Sequence, residues 1–99
     1  MRRVEWSAAA RADIRAQIEY ISEDDPKAAR RIAMALYDAG AALAQFATGH
    51  PGRVAGTYEK SVSRFPYIIA YALTAGDRAI TILRVIHAAR DWPAEEWPE

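Results

Sequence analysis

The sequence predicts an α+β domain of order β-α-α-β-β-β, an N-terminal helical hairpin packed on one face of a small, mostly antiparallel sheet. Three observations predict it. Apolar residues recur every three or four positions through residues 8–47. A stretch rich in glycine and proline, 48–56, ends that period. From residue 57 the period becomes two, in runs rich in β-branched and aromatic side chains. The expected organisation is one domain: a strand at 1–6, the hairpin at 7–47, a loop at 48–56, a strand meander at 57–90 and an acidic tail at 91–99.

Each element has a local reason. Arg3-Val4-Glu5-Trp6 alternates polar and apolar residues, as a short strand does. Ser7 stands where an N-cap belongs, and Ala10, Ile14, Ile18 and Ile21 then form one apolar stripe, with Arg11, Asp13, Arg15 and Glu19 away from it. Ser22-Glu23-Asp24-Asp25-Pro26 breaks this helix and begins the next: Asp25 is the expected N-cap, and Pro26 fits the first helical position. Ala29, Ile32, Leu36, Ala39, Leu43 and Phe46 carry the second stripe to residue 47. Gly40 interrupts it at a cost of about 1 kcal/mol unless it permits close packing. A short link between amphipathic helices predicts an antiparallel pair. Tyr58–Phe65 reads as a polar, half-exposed strand ended by Pro66, with Lys60, Val62 and Arg64 on one face. Tyr67–Leu73 is apolar almost throughout, as a central strand covered on both faces would be. After the turn Ala75–Arg78, Ala79–His87 reads as a third strand, with Ile80, Ile82, Arg84 and Ile86 on one face and His87 on the other.

Composition narrows the function classes. The 99 residues are 52% hydrophobic and 26% charged, ordinary for a folded domain, and contain no cysteine, which excludes disulfide and thiol chemistry. No apolar h-region follows Met1-Arg2-Arg3, and no apolar run reaches the ~20 residues of a membrane span, so a soluble, cytoplasmic protein is expected. The zero net charge hides a partition. Residues 50–90 carry Arg53, Lys60, Arg64, Arg78, Arg84 and Arg90 against Glu59 and Asp77, whereas the tail carries only Asp91, Glu95, Glu96 and Glu99. A cationic middle segment suits either a solvated sheet face or an anionic partner. Its cations are mostly arginine, which pairs with carboxylate or phosphate in a bidentate fork.

Strand, helical hairpin, Gly-Arg loop and meander, in that order, resemble the RelE/ParE toxin superfamily. Pro51-Gly52-Arg53, Arg64-Phe65-Pro66-Tyr67-Ile68-Ile69-Ala70-Tyr71 and Arg84-Val85-Ile86-His87-Ala88-Ala89-Arg90-Asp91-Trp92 look like its ParE branch of plasmid stabilisation toxins. The resemblance covers nearly the whole chain. It implies the toxin of a type II toxin–antitoxin module, neutralised by a cognate antitoxin, expected to be of ribbon-helix-helix type, that wraps around it. Such pairs typically bind their own operator DNA. That contact is expected through the antitoxin, because this chain has no recognition helix with a basic face. The ParE branch is associated with inhibition of DNA gyrase and growth arrest, without a recognised ribonuclease site; the RelE branch cleaves mRNA on the ribosome. The resemblance therefore implies a toxin blocking gyrase and replication by protein contact, the alternative being a ribosome-dependent endoribonuclease.

Metal-free RNA cleavage needs groups that exchange protons and a cation that holds phosphate. Lys60, Arg64, Arg84 and His87 are the candidates for that alternative. Against it, strand parity separates Arg84 from His87, and the four acids of the tail repel RNA, so the chain reads as non-catalytic. The bland readings are a strand-end hydrogen bond or Asp91 for His87, an ion pair with the acidic tail for Arg84, and a solvated face for Lys60 and Arg64. Tyr67 and Tyr71 share a strand face and read as packing residues. His50 is expected alone and solvent-facing in its loop. No metal or cofactor site is expected, since no His/Cys cluster or glycine-rich phosphate cradle is present. An extended antitoxin segment, apolar at helical spacing and acidic between, is expected to meet Tyr20, Tyr37, Arg53, Arg64, Tyr71 and Arg84.

Overall fold

The structure, a computed structural model, describes residues 2–88. The end of the expected meander, Ala89 and Arg90, and the acidic tail with Asp91 and Trp92 lie outside the described residues. Strand β1 (Arg3–Trp6) leads into helices α1 (Ala8–Ser22) and α2 (Pro26–Ala42). Strands β2 (His50–Pro51), β3 (Tyr58–Ser61), β4 (Tyr67–Thr74) and β5 (Ala79–His87) follow. The sheet runs β1-β5-β4-β3-β2 and is antiparallel except between β1 and β5. None of the described helices is long and apolar enough to cross a membrane.

Capping sets the hairpin as expected. Ser7 Oγ accepts from Ala10 N at 3.0 Å, and Asp25 Oδ1 accepts from Ala28 N at 3.0 Å with Pro26 opening α2. Each acceptor satisfies one of the orphan amides at a helix start. The second helix stops at Ala42 instead of continuing to residue 47. Leu43, Ala44 and Gln45 bond back only three residues, to Gly40, Ala41 and Ala42, so the chain tightens out of α-geometry while Leu43 stays buried and Phe46 is exposed. Gly40 serves close packing: a Cβ there would overlap the Trp6 ring and come within 2.9 Å of Ile82 Cδ1.

The main core lies between hairpin and sheet. Ala10 and Ile14 of α1 and Leu36 of α2, with Leu43 just beyond it, meet Ile69, Tyr71, Ile80, Ile82 and Val85. Burying side chains of this size contributes roughly 1.5–3 kcal/mol each. On the opposite sheet face Ala70 and Ile86 pack with Leu83 and with Val54 of the 48–56 segment.

Three expectations about the strands are corrected. The 48–56 segment is not wholly loop: His50 and Pro51 pair with Glu59 and Tyr58 as the sheet edge, where a proline removes no ladder bond that the sheet needs. Strand β3 ends at Ser61, not Phe65, because Val62 N donates to Tyr67 O and Arg64 takes a φ of 75° in the reversal. Arg64 therefore does not continue the face of Lys60 and Val62. In β5, Ile82 pairs with Tyr71 and Arg84 with Ala70, so Leu83 is an extra residue, a bulge. The bulge splits the expected face: Ile80, Ile82 and Val85 point to the hairpin, whereas Ile86 packs on the other side. Arg84 and His87 still differ in parity, since Arg84 sits opposite Ala70 and His87 opposite Tyr67.

Candidate functional site

Strand β1 pairs with β5 only as far as Trp6 and Ile82, where Ser7 turns the chain into α1. The edge of β5 beyond that point would be left with open backbone groups, which sheets normally protect. Two side chains of the hairpin fill them. Ser7 Oγ donates to Leu83 O at 2.9 Å, and Val85 N donates to Asp13 Oδ2 at 2.9 Å. The same carboxylate holds Arg84 in a fork, Nε to Oδ2 and Nη2 to Oδ1, both 2.8 Å. Both side chains of this pair are only 14% exposed. Asp13 was expected on the polar side of α1, and the structure gives it the central role at this edge.

A second fork closes the 48–56 segment onto the sheet. Glu59 of β3 accepts Arg53 N at 2.8 Å and Arg53 Nε at 2.9 Å on Oε2, and Arg53 Nη2 at 3.2 Å on Oε1. Bonding to Arg53 holds the Glu59 carboxyl below its ordinary pKa, against an opposing push from burial. Gly52 makes the approach possible: a Cβ there would stand 2.5 Å from Thr57 Oγ1 and 3.3 Å from Glu59 Oε2. Gly52 N also bonds Thr57 O at 2.9 Å, and Thr57 Oγ1 bonds Val54 O at 2.6 Å.

The ribonuclease candidates do not converge. Arg84 is bound to Asp13, Arg64 is exposed in the β3–β4 turn, and Lys60 lies opposite Ile69 on the hairpin side of the sheet. His87 meets the Tyr67 ring edge-on, centroids 5.4 Å apart. Among the described residues the ion-pair partner of Arg84 is Asp13; the expected partner, the acidic tail, and Asp91 beside His87 lie outside them. His50 is exposed, its Nδ1 3.0 Å from Pro51 O.

Of the residues expected to meet an antitoxin, Tyr20 and Tyr37 are exposed on the hairpin and Arg64 on its turn. Arg53 and Arg84 are held in their forks. Tyr71 is a correction: it is buried, bonds Thr48 O through its hydroxyl at 2.6 Å, stacks on Tyr58, and offers no surface. Burial raises its hydroxyl pKa and that of Tyr67, which donates to Gln17 Oε1 at 3.2 Å. On the hairpin, Ile14, Ile18, Ala33 and Tyr37 line a groove of about 330 Å³ bordered by Arg11, Arg15 and Glu19. Sequence reading named Tyr37 for this surface but not Arg11 and Arg15, the pair of basic residues flanking the α1 stripe.

The family model for the ParE toxin of type II toxin–antitoxin systems (parDE) matches residues 4–92. This chain belongs to the ParE toxin family. It is 38% identical over 93 residues to the Y4kP protein of Sinorhizobium fredii, covering 93% of this chain and 94% of that one. It is 37% identical over 91 residues to Toxin RelE2 of Caulobacter vibrioides, covering 91% and 99%. The fold is similar to that in the chromosomal ParDE toxin–antitoxin system of P. aeruginosa, with a TM-score of 0.79 and 24% identity over 88% of this chain and 96% of that one. It is also similar to that in the toxin–antitoxin complex RelBE2 of Mycobacterium tuberculosis, with a TM-score of 0.59 and 25% identity over 87% and 96%. For this member of the ParE family, the RelE/ParE resemblance and the α+β fold read from the sequence both hold.

Proposed function

We propose that this chain is a cytoplasmic toxin that arrests growth by blocking DNA gyrase through protein contact, without catalysis, and that a cognate antitoxin neutralises it. The observation that carries the non-catalytic reading is the Asp13–Arg84 fork. The arginine of the last strand is already bonded to a carboxylate, and His87 packs edge-on against Tyr67. A guanidinium committed in this way is a poor anchor for a transition-state phosphate. The purified toxin should inhibit gyrase supercoiling in a plasmid assay, and added antitoxin should restore it. Unimpaired supercoiling at saturating toxin, together with arrested growth, would overturn the gyrase target.

The antitoxin reading is supported by the hairpin groove. Its apolar floor of Ile14, Ile18, Ala33 and Tyr37 suits anchors at helical spacing, and Arg11 and Arg15 at its border suit acidic residues between them. Tyr20, 74% exposed, stands outside this groove. A ribbon-helix-helix antitoxin supplying such a segment would also carry the operator contacts. Co-purification with the product of the adjacent gene, abolished by Arg11→Glu/Arg15→Glu substitution, tests this reading.

The likeness to Toxin RelE2 favours a second reading, ribosome-dependent mRNA cleavage. It requires Arg84 to leave Asp13. In a translating extract it predicts cuts within codons that disappear in Arg84→Ala; intact messages exclude it.

A further inference from the structure

The described surface carries a second cleft, at the end of the sheet away from His87. It has a volume of about 560 Å³ and is lined by Arg2, Arg3, Ala44, Gln45, Asp77 and Arg78. Three guanidinium groups from two distant parts of the chain thus share one concavity with a single carboxylate. Glu5 stands 3.7 Å from Arg3, in a pair more than half exposed and therefore weakened by salt.

The walls are fixed by backbone bonds. Arg2 N donates to Ala44 O and Arg3 N to Arg78 O, both at 3.1 Å, and Arg2 Nε donates to Asp77 O at 2.8 Å. The β4–β5 turn holds Ala75, Gly76 and Asp77 at φ values of 53°, 65° and 68°. Holding Ala75 and Asp77 left-handed costs on the order of 1 kcal/mol each. Arg2 is anchored through Nε, which leaves its terminal nitrogens for other acceptors. Among the described residues no side-chain bond or ion pair engages Arg78.

We propose that this cleft binds the phosphate backbone of a nucleic acid. Clustered arginines repel one another, and an anion bridging them removes that cost. The lining distinguishes phosphate from an acidic peptide. A docked peptide draws its affinity from apolar anchors, and among the described residues of the lining the only apolar side chain is Ala44. Backbone phosphate contacts need no anchor and gain from release of counterions. The site is separate from the hairpin groove and does not depend on the gyrase reading. It makes the toxin itself a contributor to nucleic-acid contacts otherwise expected of its partner.

The test is fluorescence anisotropy of the purified full chain with labelled single-stranded and duplex oligonucleotides, between about 50 and 200 mM salt. Wild type should bind with affinity that falls as salt rises. Arg78→Gln, which breaks no described side-chain bond, should weaken binding several-fold and flatten the log–log salt slope by about 0.7–0.9 for each phosphate it no longer neutralises. Asp77→Asn should tighten binding by removing the one carboxylate among the described lining residues, a gain that a merely structural residue would not give. Absence of binding by wild type at the lowest salt overturns the proposal, as does a slope unchanged by Arg78→Gln in a protein with wild-type melting. Displacement of the oligonucleotide by an equal charge of polyglutamate overturns the choice of phosphate over acidic peptide.

Discussion

The Arg84–Asp13 and Arg53–Glu59 forks are chemically alike and differ in reach. In each, one carboxylate takes two guanidinium bonds and one backbone N–H, from Val85 in the first and from Arg53 itself in the second. Glu59 stands six residues from Arg53 and secures a local excursion of the chain to the sheet. Asp13 stands 71 residues from Arg84 and joins a helix to a strand formed at the other end of the sequence. The local fork holds a loop; the distant one holds the layers of the fold together and decides what Arg84 can do. Buried pairs of this kind add little over an apolar replacement, but removing one partner strands the other.

The contrast gives an order of effects. Asp13→Ala should be the most damaging, lowering unfolding stability by about 3–4 kcal/mol in urea titration, because it strands Arg84 and the Val85 amide at once. If the loss is below that of Glu59→Ala, the greater weight of the distant fork is wrong. Glu59→Gln should cost about 2 kcal/mol, since the amide oxygen still accepts one bond while the charge is removed. Its signature should be local: faster exchange of the Arg53 amide and new proteolysis within 48–56, with the hairpin amides unchanged.

Acid should separate the forks further. The Glu59 carboxyl has a folded pKa below its ordinary 4.5, so its contribution is complete above that value and fades as pH falls through the lowered one. Stability measured against pH should therefore drop more steeply in wild type than in Glu59→Gln over this range, and parallel curves would remove Glu59 from the acid response. The smallest effects should come from the cations outside the forks. Lys60→Ala and Arg64→Ala should each change stability by less than about 0.5 kcal/mol.

The different legibility of the two halves follows the same division of reach. Helix starts at Ser7 and Asp25, the apolar stripes, and the switch of period after residue 56 are short-range signals, and the structure reproduces them. Boundaries set by backbone geometry were not legible. Arg64 shortens β3 by taking a left-handed conformation, Leu83 shifts the alternation of β5 by one, and Pro51 pairs where a loop was expected. The antitoxin candidates divided by burial. Tyr71 has the same chemistry as Tyr37 but lies on the central strand, where its hydroxyl is used up by Thr48.

By itself the sequence determined the layer architecture, which rests on the order and period of apolar residues along the chain, and pointed to the family through its resemblance in motifs such as Pro51-Gly52-Arg53 and Arg64–Tyr71. Tertiary structure decided which arginines are committed and which are open. Charge composition placed Arg53, Arg78 and Arg84 in one cationic segment, yet two meet carboxylates in forks while Arg78 joins Arg2 and Arg3 around a cleft. An arginine's availability depends on which acceptor lies within about 3 Å. For Arg84 and for the Arg2–Arg78 cleft, that neighbour comes from more than 70 residues away.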